Sequence, residues 1–215
     1  MKKFSIILTF FAFTFLLFQT TFAQDEKANT VLKTAKAKLE GMTDFTASFK
    51  YTLSGPNAKN ATKSGKIKYK KGKFRVEMGD QELYCDKSKL WVYLKGDNEV
   101  NVTPYDANDG LDIEQIFKTY QQAAKAKYEG DETIHSIGCY KIFIASTSAK
   151  SDYNQVRLWI NKTSHYLEKA ELTDRRQVKT IYEFTNIKAN NGLSDSEFRF
   201  DAAKHPGVQV YDETN

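Results

Sequence analysis

Residues 65–78 read GKIKYKKGKFRVEM, and the side on which their apolar residues lie decides the architecture. Lysine or arginine recurs at nearly every second position, with apolar or aromatic residues between. Ile67 and Tyr69 lead through Lys70-Lys71-Gly72-Lys73 to Phe74, Val76 and Met78, the period-two pattern of two strands joined by a tight turn. An outer-membrane barrel would turn an apolar, aromatic-girdled face outward. Here one face of the hairpin carries Lys66, Lys68, Lys70, Lys73, Arg75 and Glu77. Those charges belong in water, so the apolar set points inward.

The alternation extends to both sides of this hairpin. Phe45, Ala47, Phe49, Tyr51 and Leu53 form one strand, and Leu83–Cys85, Leu90–Leu94 and Val100–Val102 continue the meander, with Gly96-Asp97-Asn98 as a turn. Further strands centre on Tyr140–Ile144, Val156–Ile160, Leu167–Leu172 and Ile181–Ile187. Two segments follow the helical period instead. Ala28, Val31, Leu32, Ala35 and Leu39 lie on one face, ended by Gly41. Asp112 with Gln115 three residues on reads as a capping box before Ile113, Ile116, Phe117 and Tyr120. Many antiparallel strands with two helices predict a mainly β, α+β fold: a strongly curved sheet or incomplete antiparallel β-barrel with a helical lid over its opening, since a flat sheet of this length would leave edges and an apolar face exposed.

Residues 1–23 read as a cleaved signal peptide. Lys2 and Lys3 precede an apolar run from Phe4 to Phe18, and Thr21-Phe22-Ala23 ends on the small residue a signal peptidase prefers. The run is shorter than the roughly 20 residues a membrane-spanning helix needs, and Gln24 stands where a lipid-modified cysteine would be. Export, with cleavage after Ala23, leaves residues 24–215 as one domain. Without Lys2 and Lys3, 30 of the 32 Lys and Arg remain against 27 Asp and Glu, too mild a balance for nucleic-acid binding by bulk charge. In an oxidising compartment Cys85 and Cys139 are either a disulfide, worth on the order of 4 kcal/mol for so long a loop, or two buried thiols.

Catalytic signatures are absent from the sequence. His135, His165 and His205 have no second ligand at a zinc-site spacing, and no nucleophile elbow, P-loop or dinucleotide fingerprint occurs. Asp86 beside Cys85 would raise a thiol pKa and oppose nucleophilic use. Asp174-Arg175-Arg176 reads as a charged hairpin tip and Asn161-Lys162-Thr163 as a turn. Neither a metal nor another cofactor is expected. Phe and Tyr are abundant at inward positions, which fits both a filled core and a barrel holding one ligand.

The stretch GKIKYKKGKFRVEM…QELYCDKSKLWVYLKGDNEVNVTPYD resembles the outer-membrane lipoprotein carrier family, LolA, and its periplasmic relatives. Phe45-Thr-Ala-Ser-Phe49 matches the family's first strand, and Gly65 to Arg75 its G-x-I-x-Y-x-x-G-x-F-R hairpin. Asp86 to Tyr93 resembles D-G-x-x-L-W-x-Y, with Ser88 or Lys89 where glycine often stands; Phe198, Phe200, Gly207, Val208 and Val210 match the family's ending. The order of the motifs spans nearly the whole mature chain. The resemblance implies the periplasm as the destination of export, and a monomeric, non-enzymatic binding protein whose apolar cavity receives the acyl chains of lipoproteins. Its implied partners are acylated lipoproteins, an inner-membrane lipoprotein exporter, and an outer-membrane acceptor or the membrane surface. Phe49, Tyr51, Ile67, Tyr69, Phe74, Val76, Met78, Trp91 and Tyr93 are then candidates for the cavity wall, and Ile113, Ile116, Phe117 and Tyr120 for the lid. Lys70 and Lys71 replace the arginine that known carriers hold near this loop; Lys70, Lys71, Lys73 and Arg75 become candidate contacts for exporter or headgroup. A lipid- or lipoprotein-sensing module of the same fold is the alternative, with an envelope lipid hydrolase or a solid barrel behind it.

Overall fold

The computed structural model describes residues 25–56, 58–106, 126–145 and 153–214. The sequence-predicted helix with its candidate lid residues Ile113, Ile116, Phe117 and Tyr120 lies outside the described residues, as does the expected signal peptide. Helix α1 spans 25–40 and buries Ala28, Val31, Leu32 and Ala35, the stripe expected from the sequence. At its end the Gly41 amide donates to the Ala37 carbonyl at 3.0 Å.

Twelve strands follow: β1 (Phe45–Gly55), β2 (Ala58–Lys70), β3 (Lys73–Met78), β4 (Gln81–Cys85), β5 (Lys89–Leu94), β6 (Glu99–Pro104), β7 (Ala126–Ile134), β8 (Ile137–Ala145), β9 (Tyr153–Asn161), β10 (Leu167–Asp174), β11 (Lys179–Ala189) and β12 (Gln209–Asp212). They form one strongly curved open sheet in the order β12-β6-β5-β4-β3-β2-β1-β11-β10-β9-β8-β7. This is the mainly β, incomplete-barrel architecture expected from the sequence. Two antiparallel meanders, β1 to β6 and β7 to β11, become one sheet because β1 pairs with β11 from Phe45↔Ala189 to Ser54↔Lys179. The added last strand, β12, runs parallel to β6.

The quoted stretch forms the β2–β3 hairpin, with Tyr69 opposite Phe74 and Ile67 opposite Val76. Lys71 and Gly72 both have positive φ, 48° and 87°, as a two-residue turn matched to strand twist requires. The face bearing α1, here the inner face, collects Phe45, Ala47, Phe49, Ile67, Phe74 and Val76 with Leu158, Ile160 and Leu172 of the second meander into the main core. Strand β7 has only a weak sequence signal. It is an edge strand whose alternation is filled by Lys127, Glu129, Asp131 and Glu132, charges of the kind that discourage edge pairing with another molecule.

The outer face carries covers of its own. After β11 the chain crosses the hairpin through two short 3-10 turns, Asp195–Phe198 and Ala202–Lys204. Phe200 and Val208 pack there with Tyr93, Val100 and Val102 in a second cluster. A third cluster joins Ile134, Cys139 and Trp159, with Ile137 against it, under the tip of the β7–β8 hairpin. The alternative of a Cys85–Cys139 disulfide is not realised. Both are buried thiols, separated because Cys85 faces the main core and Cys139 faces the third cluster.

Candidate functional site

The inner face is an aromatic and aliphatic surface set by strand alternation. Phe49, Ile67, Phe74 and Val76 are buried in it, and Tyr51, Tyr69 and Met78 pack half-buried against it. Tyr69 stacks on Phe45 with ring centres 5.2 Å apart, Tyr51 lies 5.4 Å from Tyr182, and Tyr105 meets Phe74 edge-on at 5.9 Å. The structure thus brings seven of the nine sequence-predicted wall residues together on one face.

Trp91 and Tyr93 are the two exceptions, and their assignment to the cavity wall is corrected here. Leu90 packs against the main core, whereas Trp91 and Tyr93 belong to the outer cluster with Phe200 and Val208. Tyr93 lies 5.1 Å from Phe200 and 4.5 Å from His205, and its hydroxyl donates to Asn98 Oδ1 at 3.0 Å. The reason is visible in β5 itself. Both of its faces are apolar, so the period of two separates Leu90, Val92 and Leu94 from Trp91 and Tyr93 without saying which set faces in.

An apolar pocket of about 50 Å³ opens between α1 and the sheet. Ala35 and Leu39 of the helix, Phe45 and Ala47 of β1, and Phe184 and Ile187 of β11 line it, together with Met42, His165, Tyr166 and Leu167. None of these was a sequence-derived site candidate. Ala35 and Leu39 were visible as one helix face and Phe45 and Ala47 as one strand face, yet only the β1–β11 pairing places them around the same space.

The candidate contact cations meet carboxylates of the chain. Asp195 lies 3.0 Å from Lys70 Nζ and 2.7 Å from Lys73 Nζ, and these hydrogen bonds, Lys73 first, hold its carboxyl down at about 2. Lys70 also donates to the Leu193 carbonyl at 2.6 Å, and Lys68 pairs with Glu197. Arg75 contacts Glu77 at 3.0 Å and Glu82 at 2.9 Å. Glu82 is nearly buried; burial opposes its charge, but hydrogen bonds from Lys95 and Tyr84 and the charge of Arg75 bring its pKa to about 2. Lys71 stands exposed at the turn.

A motif-bearing inner face, a curved sheet under one helix and a cover built from the C-terminal aromatics coincide with a match of residues 40–201 to the outer membrane lipoprotein carrier protein LolA family. The chain belongs to the LolA family. Among curated proteins, none matches the sequence. An uncharacterised conserved protein from Thermus thermophilus has a similar solved structure: 15% identity, 87% of this chain and 99% of that one covered, TM-score 0.57. LprF from Mycobacterium bovis is similar at 11% identity, covering 80% of this chain and 96% of that one, with TM-score 0.53. At such identities the likeness is one of fold.

Family membership gives the quoted motifs physical meaning in this LolA-family chain. Gly65 faces Phe49, whose ring occupies the space a side chain would take. Phe198 is fully buried, Phe200 and Val208 join the outer cluster, and Gly207 turns with φ 75° before β12. Asp86, opening the third motif, accepts from the amides of Ser88 and Lys89, both at 3.0 Å, and from Arg199 Nε at 2.9 Å. The motifs therefore tie the outer cover to the sheet as much as they line the inner face.

Proposed function

We propose that the protein is a periplasmic carrier, exported by residues 1–23 and folded as one domain over 24–215, that shields the acyl chains of lipoproteins on its inner face between inner and outer membrane. The observation that carries this reading is the continuous apolar inner face of an open barrel, with a pocket already present under α1. Cargo would come from an inner-membrane exporter and leave to an outer-membrane acceptor or the membrane surface. Ile113, Ile116, Phe117 and Tyr120 remain our candidates for a second lid element.

The pocket's volume of about 50 Å³ is far below the roughly 300–1,000 Å³ of ligand sites, so binding requires α1 to shift from the sheet. The side chains that α1 buries are Val31, Leu32 and two alanines, so apolar burial on the order of 5 kcal/mol holds it in place. A dozen shielded methylenes contribute on the order of 10 kcal/mol, enough to replace those contacts and retain a surplus. A helix seated by only two large buried side chains, Val31 and Leu32, and two alanines can open without global unfolding, and a modest surplus lets cargo leave.

No catalysis is part of the proposal. Cys139 is a poor nucleophile: burial, with the nearby charge of Glu168, pushes its thiol up to about 11. Among the described residues no helix is long and apolar enough to cross a membrane. Native mass spectrometry of protein purified from periplasm tests the reading. A co-bound lipoprotein or fatty-acid mass is expected, and Ala35→Trp, which fills the pocket, should remove it while circular dichroism stays unchanged. A clean apo mass for the wild type would favour a solid barrel.

A further inference from the structure

The outer face of the sheet is covered at two places and open between them. On one side, residues 193–199 lie over β2 and β3, anchored by Asp195 and Glu197. On the other, the β7–β8 tip folds onto Trp159 and brings His135 Nε2 to 3.8 Å from Glu183. Between these covers β1 turns the short Thr46 and Ser48 outward, with Lys50, 3.9 Å from Glu183, closing the far end of the larger hollow. The register sets Lys188 of β11 and Lys68 of β2 on either side of Thr46, and Thr185 and Lys66 on either side of Ser48. Adjacent strands lie about 4.8 Å apart, so lysines stand on two banks roughly 10 Å apart above a hydroxyl floor.

Two adjoining hollows of about 520 Å³ and 200 Å³ occupy this groove. Lys66 and Lys188 are exposed on its banks, and among the described residues neither forms an ion pair with a carboxylate, whereas Lys68 beside them is held by Glu197. Glu77 and Glu183 border the larger hollow and would turn an anionic ligand toward the lysines.

The chain itself shows what this basic face accepts. Its segment Leu193-Ser-Asp-Ser-Glu-Phe198 crosses the same face with carboxylates two residues apart, Asp195 on Lys70 and Lys73 and Glu197 on Lys68. The adjoining groove repeats the chemistry: its Lys68, Lys50 and Arg75 are held by carboxylates of the chain, while Lys66 and Lys188 stand ready for another. We propose that the groove along the outer face of β1 docks an extended acidic segment of a partner protein, laid beside residues 193–199. A bilayer surface is flat and cannot reach a floor recessed between two covers, whereas a single extended chain can. The inference is independent of what the inner face carries.

A fluorescein-labelled peptide of alternating Glu and Ser, titrated with the mature chain and followed by anisotropy, tests it. Wild-type protein should bind, more weakly as salt rises, and Lys66→Glu with Lys188→Glu should weaken binding by about tenfold or more. Thr185→Trp, which fills the floor without changing charge, should cause a comparable loss, while Lys33→Glu on α1 should change affinity less than about twofold. Absence of wild-type binding, or wild-type affinity in both groove variants with unchanged thermal unfolding, would overturn the proposal. So would wild-type sedimentation with phosphatidylglycerol vesicles, abolished by the double charge reversal, in the absence of peptide binding.

Discussion

Gly65 and Asp44 show how single residues fix this fold. A Cβ on Gly65 would come within 2.5 Å of the Phe49 ring and closer still to the Glu77 carbonyl. Gly65→Ala should therefore destabilise the protein by about 1–3 kcal/mol through overpacking, measured as a lower urea midpoint. Asp44, 2% exposed, accepts hydrogen bonds from the amides of Asn191, Gly192 and Leu193 at 2.7, 3.1 and 3.2 Å. Burial opposes its charge, but those amides outweigh it and hold the carboxyl below its ordinary range. Asp44→Ala leaves several of them without their acceptor and should cost roughly 2–3 kcal/mol, with amide exchange in 190–193 rising first. Neither role was legible in the sequence: a lone Asp before a strand carries no sign of a loop so far along the chain, and the glycine's need follows from which residue faces it.

Among the elements, the outer cover formed by 193–208 is held by two kinds of contact of unequal weight. Its ion pairs to Lys70 and Lys73 are largely exposed on the Asp195 side, where solvent screening and side-chain entropy leave such pairs little net effect. Phe198 is fully buried, and removing such a ring costs about 3–5 kcal/mol. Phe198→Ala should therefore lower stability far more than Asp195→Asn combined with Glu197→Gln, as chemical denaturation of the two variants would measure. A larger loss in the charge variant would mean that the cover is electrostatic. The elements of the first meander and α1 were legible because each buries one face and alternates cleanly. Strand β7 was hidden because an edge strand, solvated along much of its length, has little apolar pattern to display.

At the scale of the whole molecule, acid should loosen the outer face. Glu82, ordinarily 4.5, and Asp195, ordinarily 3.8, are both held down to about 2 in the folded protein, and the nearly buried Glu82 carries most of the effect because solvent screens the exposed Asp195. The unfolded chain takes up their protons first as pH falls, so their stabilisation is complete above about pH 4.5 and lost progressively toward pH 2. The thermal midpoint should be insensitive to pH between 5 and 7 on their account and fall between about 4.5 and 2, with Glu82→Gln showing a shallower fall. An equal slope in that variant would remove Glu82 from the cause. The sequence by itself determined β1, β3 to β6 and β8 to β11, the β2–β3 hairpin with its inward Ile67, Phe74 and Val76, and the buried stripe of α1, because period and turn chemistry are local. Only the tertiary structure decided that Trp91 and Tyr93 face outward, that the hairpin's lysines meet Asp195 and Glu197, and that β1 joins β11. Those outcomes depend on which distant segment covers an already apolar or charged face, and alternation distinguishes two faces without naming what lies against either.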